Sequence, residues 1–600
     1  MPSSILDTLV KRARQAFLAL REKAPVTIDE SVLEHMLLYH GLIGSGPENQ
    51  REFRDVRADI IAAINRQSPI TLAIALKLPP LWWEDKLKSI FAELYGETKA
   101  VAVRLITQLL TASADQYQDQ GISSISKGDW RIRANAAILL AFLGIDKADT
   151  VLSELLNDTS DSGKLAFPFV SRSLGKLQTE AGKQALAKHI FHSEPWFRVD
   201  TAAALALYPL GSVSEPLVKI LRAERELKDY MAVAIARNHL PSEFFKSNDQ
   251  QLLDGGCELI IGIVQGATGT FKEEIVFDTQ ILQCLEPLYK LAVAVPRPLH
   301  VAAALNLFDW LLQRVSEKTP PADLPSATTL KSQIDSVTES YLKTDVVEDL
   351  RQALADKNAK QPDQLSDLRY ALLLAGRLRL TNTEPLLKTA LVPEFPLLPE
   401  VIDALGQIGQ ISSTKALLEL AKTTTDLDQR LSLPKSKQPV LEEYPEQAKI
   451  YWRILRALGN LDSAECTDFL LKATGDYAPD KRAQALSSLV NVLVKNDKLK
   501  FRCKIENVLT EGLRDPSPLV RLAALKGAAA LGAGKVVAEI VRLIDARENT
   551  VSKEAFDALS ELSSKGYSKD VAQLIRPRLK GEREQHKKRQ IEALLSAARK

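Results

Sequence analysis

The chain has 600 residues, room for several ordinary domains or one long array of repeats. Lys plus Arg (78) nearly balances Asp plus Glu (76), so no global field directs it to DNA or to a membrane surface. Hydrophobic residues are 45% and aromatics only 6%, which favours Leu/Ala-rich helices over a sheet core of aromatic and β-branched residues.

The opening stretch, MPSSILDTLVKRARQAFLALREKA, lacks the apolar core and small-residue cleavage site of a secretory signal. It predicts a first helix capped by Ser3 or Ser4, with an amphipathic transit peptide as the alternative. Helical periodicity predicts helices near residues 4–23, 29–42, 47–66, 81–95 and 99–111. Residues 1–115 are expected to be atypical or capping repeats, or a separate small helical domain. Trp82 and Trp83 follow Pro79-Pro80 and are adjacent on one helix, about 100° apart, so both cannot easily face one core. Either one anchors a partner, or one is buried and the other folds over the proline turn.

Repeats dominate the remainder of the chain. In DWRIRANAAILLAFLG (129–144), Arg133 precedes Gly144 by eleven residues. In RDPSPLVRLAALKGAAALGAGKVVAEIVRLI (514–544), Arg521 precedes Gly532 by the same eleven. PWFRVDTAAALALYPLG (195–211) follows the same plan with Arg198, and each copy leads into a second amphipathic helix. The Arg133 position recurs near Phe167, Arg198 and Asp229, at steps of 34, 31 and 31 residues. Further on it recurs near Tyr451, Arg482, Arg521 and Ser552, at steps of 31, 39 and 31. Clear copies are expected over 116–240 and 366–563. Residues 241–365 have longer helices and a degenerate pattern. A projecting loop is expected near 423–447. Residues 564–600 are expected to be basic capping helices, with eleven Lys/Arg against four Asp/Glu.

An Asp-Pro start, a Val-Arg step, an Ala-Leu-Gly finish and a second helix on a period near 31 resemble HEAT repeats, of the short bacterial type similar to phycobilisome-lyase repeats. The resemblance implies an all-α fold, an α-solenoid of stacked antiparallel helix pairs in a right-handed superhelix. It also implies that Arg133, Arg198 and Arg521 bond neighbouring turns as a ladder. Asp515 is the expected N-cap, with Pro516 at the first helical position. Gly527 is expected where a neighbouring backbone needs space, and Gly532 and Gly534 where the helix ends with positive φ.

Catalytic signatures are missing. One HEAT protein, deoxyhypusine hydroxylase, binds iron through His-Glu pairs, and this sequence has no His-Glu dipeptide. His189 and His192 share a helix face and, with Glu194, could ligate a metal; the plainer expectation is a partly exposed pair at a helix end. There is no phosphate-loop motif and no Gly-x-Ser-x-Gly. GIVQGATGT (262–270) follows a helical pattern, unlike a dinucleotide fingerprint. Asp254 with Glu258, and Glu273 with Glu274, are expected on solvated helix faces. Cys257, Cys284, Cys466 and Cys503 form no Cys-x-x-Cys pair and fit a reducing, cytoplasmic setting. No apolar run reaches transmembrane length. The basic patch Lys587, Lys588 and Arg589 suits an acidic partner, RNA or anionic lipid, or simply a solvated cap. The leading expectation is a non-catalytic protein-binding scaffold, without a cofactor, that takes one or more protein partners on its curved surface. The alternatives are a bilin lyase-like or chaperone role in chromophore-protein assembly, and nucleic-acid binding through the basic C-terminus, which the near-neutral body does not favour.

Overall fold

The computed structural model describes residues 49–76, 78, 80–111, 130–145, 148–247, 249–268, 281–316, 324–355, 365–438, 440, 445–496, 499, 504–579 and 585–597. The helices expected at 4–23 and 29–42 lie outside them. Every regular element among these residues is helical. The chain divides into two compact units, Met1–Tyr341 with Ala359–Ser366, and Leu342–Asn358 with Asp367–Lys600.

In the first unit the helices are α1 (Asn49–Asn65), α2 (Pro69–Leu76), α3 (Pro80–Ala92), α4 (Gly96–Thr111), α5 (Trp130–Leu143), α6 (Ala148–Leu156), α7 (Asp161–Leu177), α8 (Glu180–Ala187), α9 (Pro195–Leu205), α10 (Leu210–Ala223), α11 (Lys228–Ala236), α12 (Pro241–Phe244), α13 (Gln250–Thr268), α14 (Leu285–Ala294), α15 (Pro298–Val315) and α16 (Ala327–Leu342). The short apolar α2 is absent from the sequence expectation. Polar starts set the boundaries: Ser160 Oγ accepts from Gly163 N, and Thr179 Oγ1 accepts from Gly182 N, each at 3.1 Å. Proline opens α9 and α15, where its missing N–H costs nothing. First helices stack in series, α3 on α5, then α7, α9, α11, α13 and α15. The second helices α4, α6 and α8 form a parallel row. Each repeat therefore buries its apolar face mainly against its neighbours.

The second unit holds α17 (Val346–Ala355), α18 (Ser366–Arg377, whose first residue belongs to the first unit), α19 (Glu384–Thr389), α20 (Leu398–Ile408), α21 (Thr414–Thr424), α22 (Leu427–Ser432), α23 (Pro445–Leu458), α24 (Ala464–Ala473), α25 (Pro479–Lys495), α26 (Ile505–Leu513), α27 (Pro518–Leu531), α28 (Val537–Leu543), α29 (Asn549–Leu562), α30 (Ser568–Leu579) and α31 (Gln585–Ala597). Here α20, α23, α25, α27 and α29 stack in series, and so do α26, α28 and α30.

Small residues set how closely first helices approach. A Cβ on Gly406 would come 2.7 Å from Ala457 Cα, and one on Gly459 would come 2.8 Å from Ser488 Cα. Both glycines end an Ala-Leu-Gly triplet, so the triplet marks where one backbone rests on the next. Gly527 departs from its expectation. Its neighbours are the side chains of Val490 (2.7 Å) and Leu509 (3.2 Å), because the backbones there are held further apart. Gly532 ends α27 with φ +64, as expected, but Gly534 has no positive φ. A Cβ on Gly534 would overlap the Tyr567 ring, so glycine is needed there for space.

The turns between repeats are tied by cations. Arg133 pairs with Asp158. Arg198 Nε donates to Glu224 Oε2 at 2.7 Å, and its Nη1 donates to the His192 carbonyl at 2.7 Å. Arg521 Nη2 lies 2.9 Å from Glu548 Oε2, and its Nη1 donates to the carbonyls of Asp515 (2.8 Å) and Pro516 (3.1 Å). Arg133, Arg198 and Arg521 each reach a carboxylate of the next turn. Arg482, marked in the sequence only by its register, makes the most complete rung. It donates to Asp515 through Nε (2.9 Å) and Nη2 (2.8 Å), and to the carbonyls of Asp476 and Tyr477 through Nη1 (2.8 and 2.7 Å). Lys228, one residue before the register position, supplies a rung to Glu258.

The carboxylates also hold the backbone of their own turns. Glu224 Oε1 accepts from the N–H groups of Arg225, Glu226 and Leu227, at 3.0, 2.9 and 3.0 Å. Burial raises the Glu224 pKa, but these bonds and Arg198 outweigh it and hold the carboxyl below its usual range. Asp515 does not cap α27 as expected. The helix starts two residues later, at Pro518 after Ser517, while the Asp515 carboxylate takes Arg482 and the Ser517 N–H (2.9 Å).

Asp254 and Glu258, expected on a solvated face, are buried. Asp254 accepts from Gln250 (2.7 Å) and Arg297 (3.1 Å) and lies 3.1 Å from His300 Nε2. The periodic pattern could not reveal that Arg222 on α10, Lys228 on α11 and Arg297 in the turn before α15 converge on this face. Glu273 and Glu274 lie outside the described residues. The segment 423–447, expected to project, instead contains α22 and is tied back to the ladder through Arg430 and Ser436.

Arg482→Ala leaves the Asp515 carboxylate buried without its cation, so it is expected to destabilise the surrounding repeats by about 3–5 kcal/mol. Arg521→Ala, whose partner Glu548 is partly solvated, is expected to cost about 1 kcal/mol or less. Amide hydrogen exchange in α25–α27 measures both. Gly406→Ala forces α20 away from α23 and is expected to cost about 1–3 kcal/mol, read as faster exchange in those two helices.

Candidate functional site

Trp83, a candidate partner anchor, is 4% exposed and packs inside the first unit, with Lys86 Nζ 4.8 Å from the ring centroid. It is a core residue, because the α3 register turns it toward the neighbouring helices. Trp82 lies on α3, and its side chain is outside the described residues. Exposed apolar groups are scattered elsewhere, Tyr95 and Ile411 among them, and three share one register: Leu165 is 55% exposed, Trp196 53% and Leu519 44%. Each stands two residues before the ladder position, at 167, 198 and 521. That register lies at the start of the first helix and points away from the stack. Trp196 also meets Tyr230 edge-on at 4.9 Å. PWFRVD carried the signal, as a tryptophan two places before a ladder arginine.

Charged groups crowd the first helices. The Glu84 carboxylate on α3 receives Lys88, Lys176 Nζ at 2.9 Å and Arg172 Nη1 at 3.5 Å. Burial raises its pKa, but the hydrogen bonds from Lys88 and Lys176 prevail and hold it at about 2. In the second unit Asp403 on α20 takes both Arg453 and Arg456 from α23, and Arg456 lies 5.1 Å from the Trp452 ring centroid.

His189 and His192 sit in an aromatic cluster with Phe167 and Phe197, whose rings stack at 4.2 Å. Burial lowers both histidine pKa values. His192 Nδ1 accepts from Glu194 N at 3.0 Å, and the Glu194 charge opposes the lowering of the His192 pKa without overcoming burial. Among the described residues no group of three or more His, Cys, Asp or Glu is placed to hold a metal ion.

The C-terminal patch lies on α31. Ile591 and Leu594 are buried, Lys588 and Arg589 are exposed, and Lys587 is half-buried. Packing of α31 on α30 gives that end an apolar inner face and a basic outer one. No described helix is long and apolar enough to cross a membrane.

Asp200 on α9 carries no sequence signal of its own. Burial pushes its carboxyl up to about 7. The native state therefore holds a proton that the unfolded chain has released above about pH 4. Stability should fall as pH rises from about 4 to about 7, by at most about 1.4 kcal/mol per pH unit. Asp200→Asn is expected to flatten this slope and to stabilise the first unit at neutral pH. Denaturation midpoints measured across that range check it.

Residues 506–595 match the family model described as HEAT repeats. No curated protein matches the chain. Among solved structures, an engineered protein from the Northeast Structural Genomics Consortium is 13% identical, with a TM-score of 0.24, covering 86% of this chain and 99% of that one. Kap121p bound to Pho4p is 12% identical, with a TM-score of 0.33, covering 96% of this chain and 59% of that one. A Kap121p mutant is 14% identical, with a TM-score of 0.30, covering 95% of this chain and 69% of that one. The chain thus spans little more than half the length of Kap121p in the Pho4p complex. HEAT repeats are thus shown over residues 506–595, and helix pairs stacked in series with turns tied by arginine and carboxylate recur outside that segment.

Proposed function

We propose that the chain is a non-catalytic scaffold that binds protein partners along the exposed register of its first helices. The observation that carries this reading is the placement of Leu165 and Trp196 in the first unit. Both are large, apolar and more than half exposed, at the same position of successive repeats. Tryptophan loses little conformational entropy on binding and buries a large area, which makes it an effective interface anchor. The Trp196 ring is braced by Tyr230 and is therefore partly preorganised. Arg198, two residues on, is held by Glu224 and the His192 carbonyl, so the tryptophan rides on a fixed turn.

Tagged protein captured from its native host, with bound proteins quantified by mass spectrometry, tests the reading. The double variant Leu165→Ala, Trp196→Ala is expected to lose its stoichiometric partner at least about tenfold while keeping wild-type helicity. Undiminished capture by that variant would overturn the proposed binding register.

A further inference from the structure

The segment joining α21 to α23 makes contacts resembling those of a bound peptide. Arg430, on α22, grips Asp476 in a bidentate pair, Nε to Oδ2 at 2.6 Å and Nη2 to Oδ1 at 3.1 Å. Its guanidinium carbon lies 4.7 Å from the Tyr477 ring centroid and 5.3 Å from that of Tyr451. Six residues later, Ser436 N donates to the Tyr477 carbonyl at 2.9 Å, and the Ser436 carbonyl accepts from Arg482 Nη2 at 2.8 Å. The receiving surface is thus a carboxylate and two aromatic rings around one guanidinium, followed by one carbonyl and one guanidinium that clip the backbone at Ser436.

That surface is also held by contacts outside its occupant. Asp476 accepts from Ala478 N at 2.8 Å, and Arg482 is held by Asp515. The occupant is the opposite. No residue of α22 is buried, and Leu433, Pro434, Lys435, Lys437 and Gln438 are exposed. The segment is therefore held mainly by polar contacts at two points. Arg198 and Arg521 bond their own turn and the next, whereas Arg482 also bonds a third segment. A buried carboxylate stripped of its cation is strongly unfavourable, so a site vacated by Arg430 favours another guanidinium. Lysine would not replace it equivalently, because only the planar fork pairs bidentately and stacks between rings.

We propose that Asp476, Tyr451, Tyr477 and Arg482 form an arginine-peptide receptor that residues 427–438 occupy in cis. A partner segment that carries an arginine on a short helical turn, six residues ahead of a backbone clip, displaces them. The inference rests on the scaffold reading and gives it one class of partner.

The probe is a fluorescent synthetic peptide with the sequence of residues 426–438, titrated by anisotropy. The receiver is the full chain with residues 427–438 replaced by an equal length of Gly and Ser. Saturable binding is expected, weakened at least about tenfold in the intact protein, in an Asp476→Asn version of the receiver, and with a peptide carrying Arg430→Lys. No binding to a receiver of native helicity, or equal binding of the lysine peptide, would overturn the proposal. If the replaced chain does not fold, full-length Arg430→Lys serves instead: it should bind the arginine peptide more tightly than wild type does, and equal binding would overturn the proposal. This assay uses no residue of the Leu165–Trp196 register. Failure of peptide exchange and failure of partner capture are therefore scored separately.

Discussion

A guanidinium shared between two consecutive turns is the interaction on which the rest depends. Arg482 shows why. Its donors are spent on two carbonyls of its own turn, on the carboxylate of the next turn and on the Ser436 carbonyl. A first helix can then start only where its turn meets both sets of acceptors. The carboxylate in turn fixes the next turn, as Asp515 does through the Ser517 N–H. From Arg430 through Asp476, Arg482, Asp515 and Arg521 to Glu548, the chain of contacts runs unbroken from α22 to the turn before α29. Hydrophobic burial supplies most of the stabilisation, but it is non-directional. The ladder sets the spacing and register that burial alone leaves open.

Glycine does the complementary work inside the stack. With the turns fixed, first helices lie close enough that Gly406 and Gly459 rest against the backbone of the following repeat. A rigid turn and a close helix contact together make each repeat dependent on its neighbours and on little else, so stability is local. That leaves the outer register free for large apolar groups such as Leu165 and Trp196, whose exposure does not weaken the core.

Polar groups buried for structural reasons also set the chemistry available. Glu84, Asp254 and Glu258 are occupied by cations, which suits packing between helices more than proton transfer. Asp200, with its raised pKa, stands apart from these pairs. The Asp476 site differs again, because its cation comes from a surface segment whose own side chains are mostly solvated.

The sequence by itself determined most of the helices and their pairing into repeats, because amphipathic periodicity and an Ala-Leu-Gly finish are local patterns. The ladder role of Arg133, Arg198 and Arg521 was legible only through the resemblance to HEAT repeats. Arg482 was legible only as a register position, since its acceptor Asp515 looked like a helix cap. Only the tertiary structure decided which polar groups are buried and which apolar groups stay out. Asp254 and Glu258 resemble solvated carboxylates until cations from other helices converge on them. Trp83 is buried although it sits beside another tryptophan, and Trp196 is exposed although it belongs to a clear repeat. The path of residues 427–438 was likewise invisible, because the partners of Arg430 lie 46 residues away, where no local periodicity reaches.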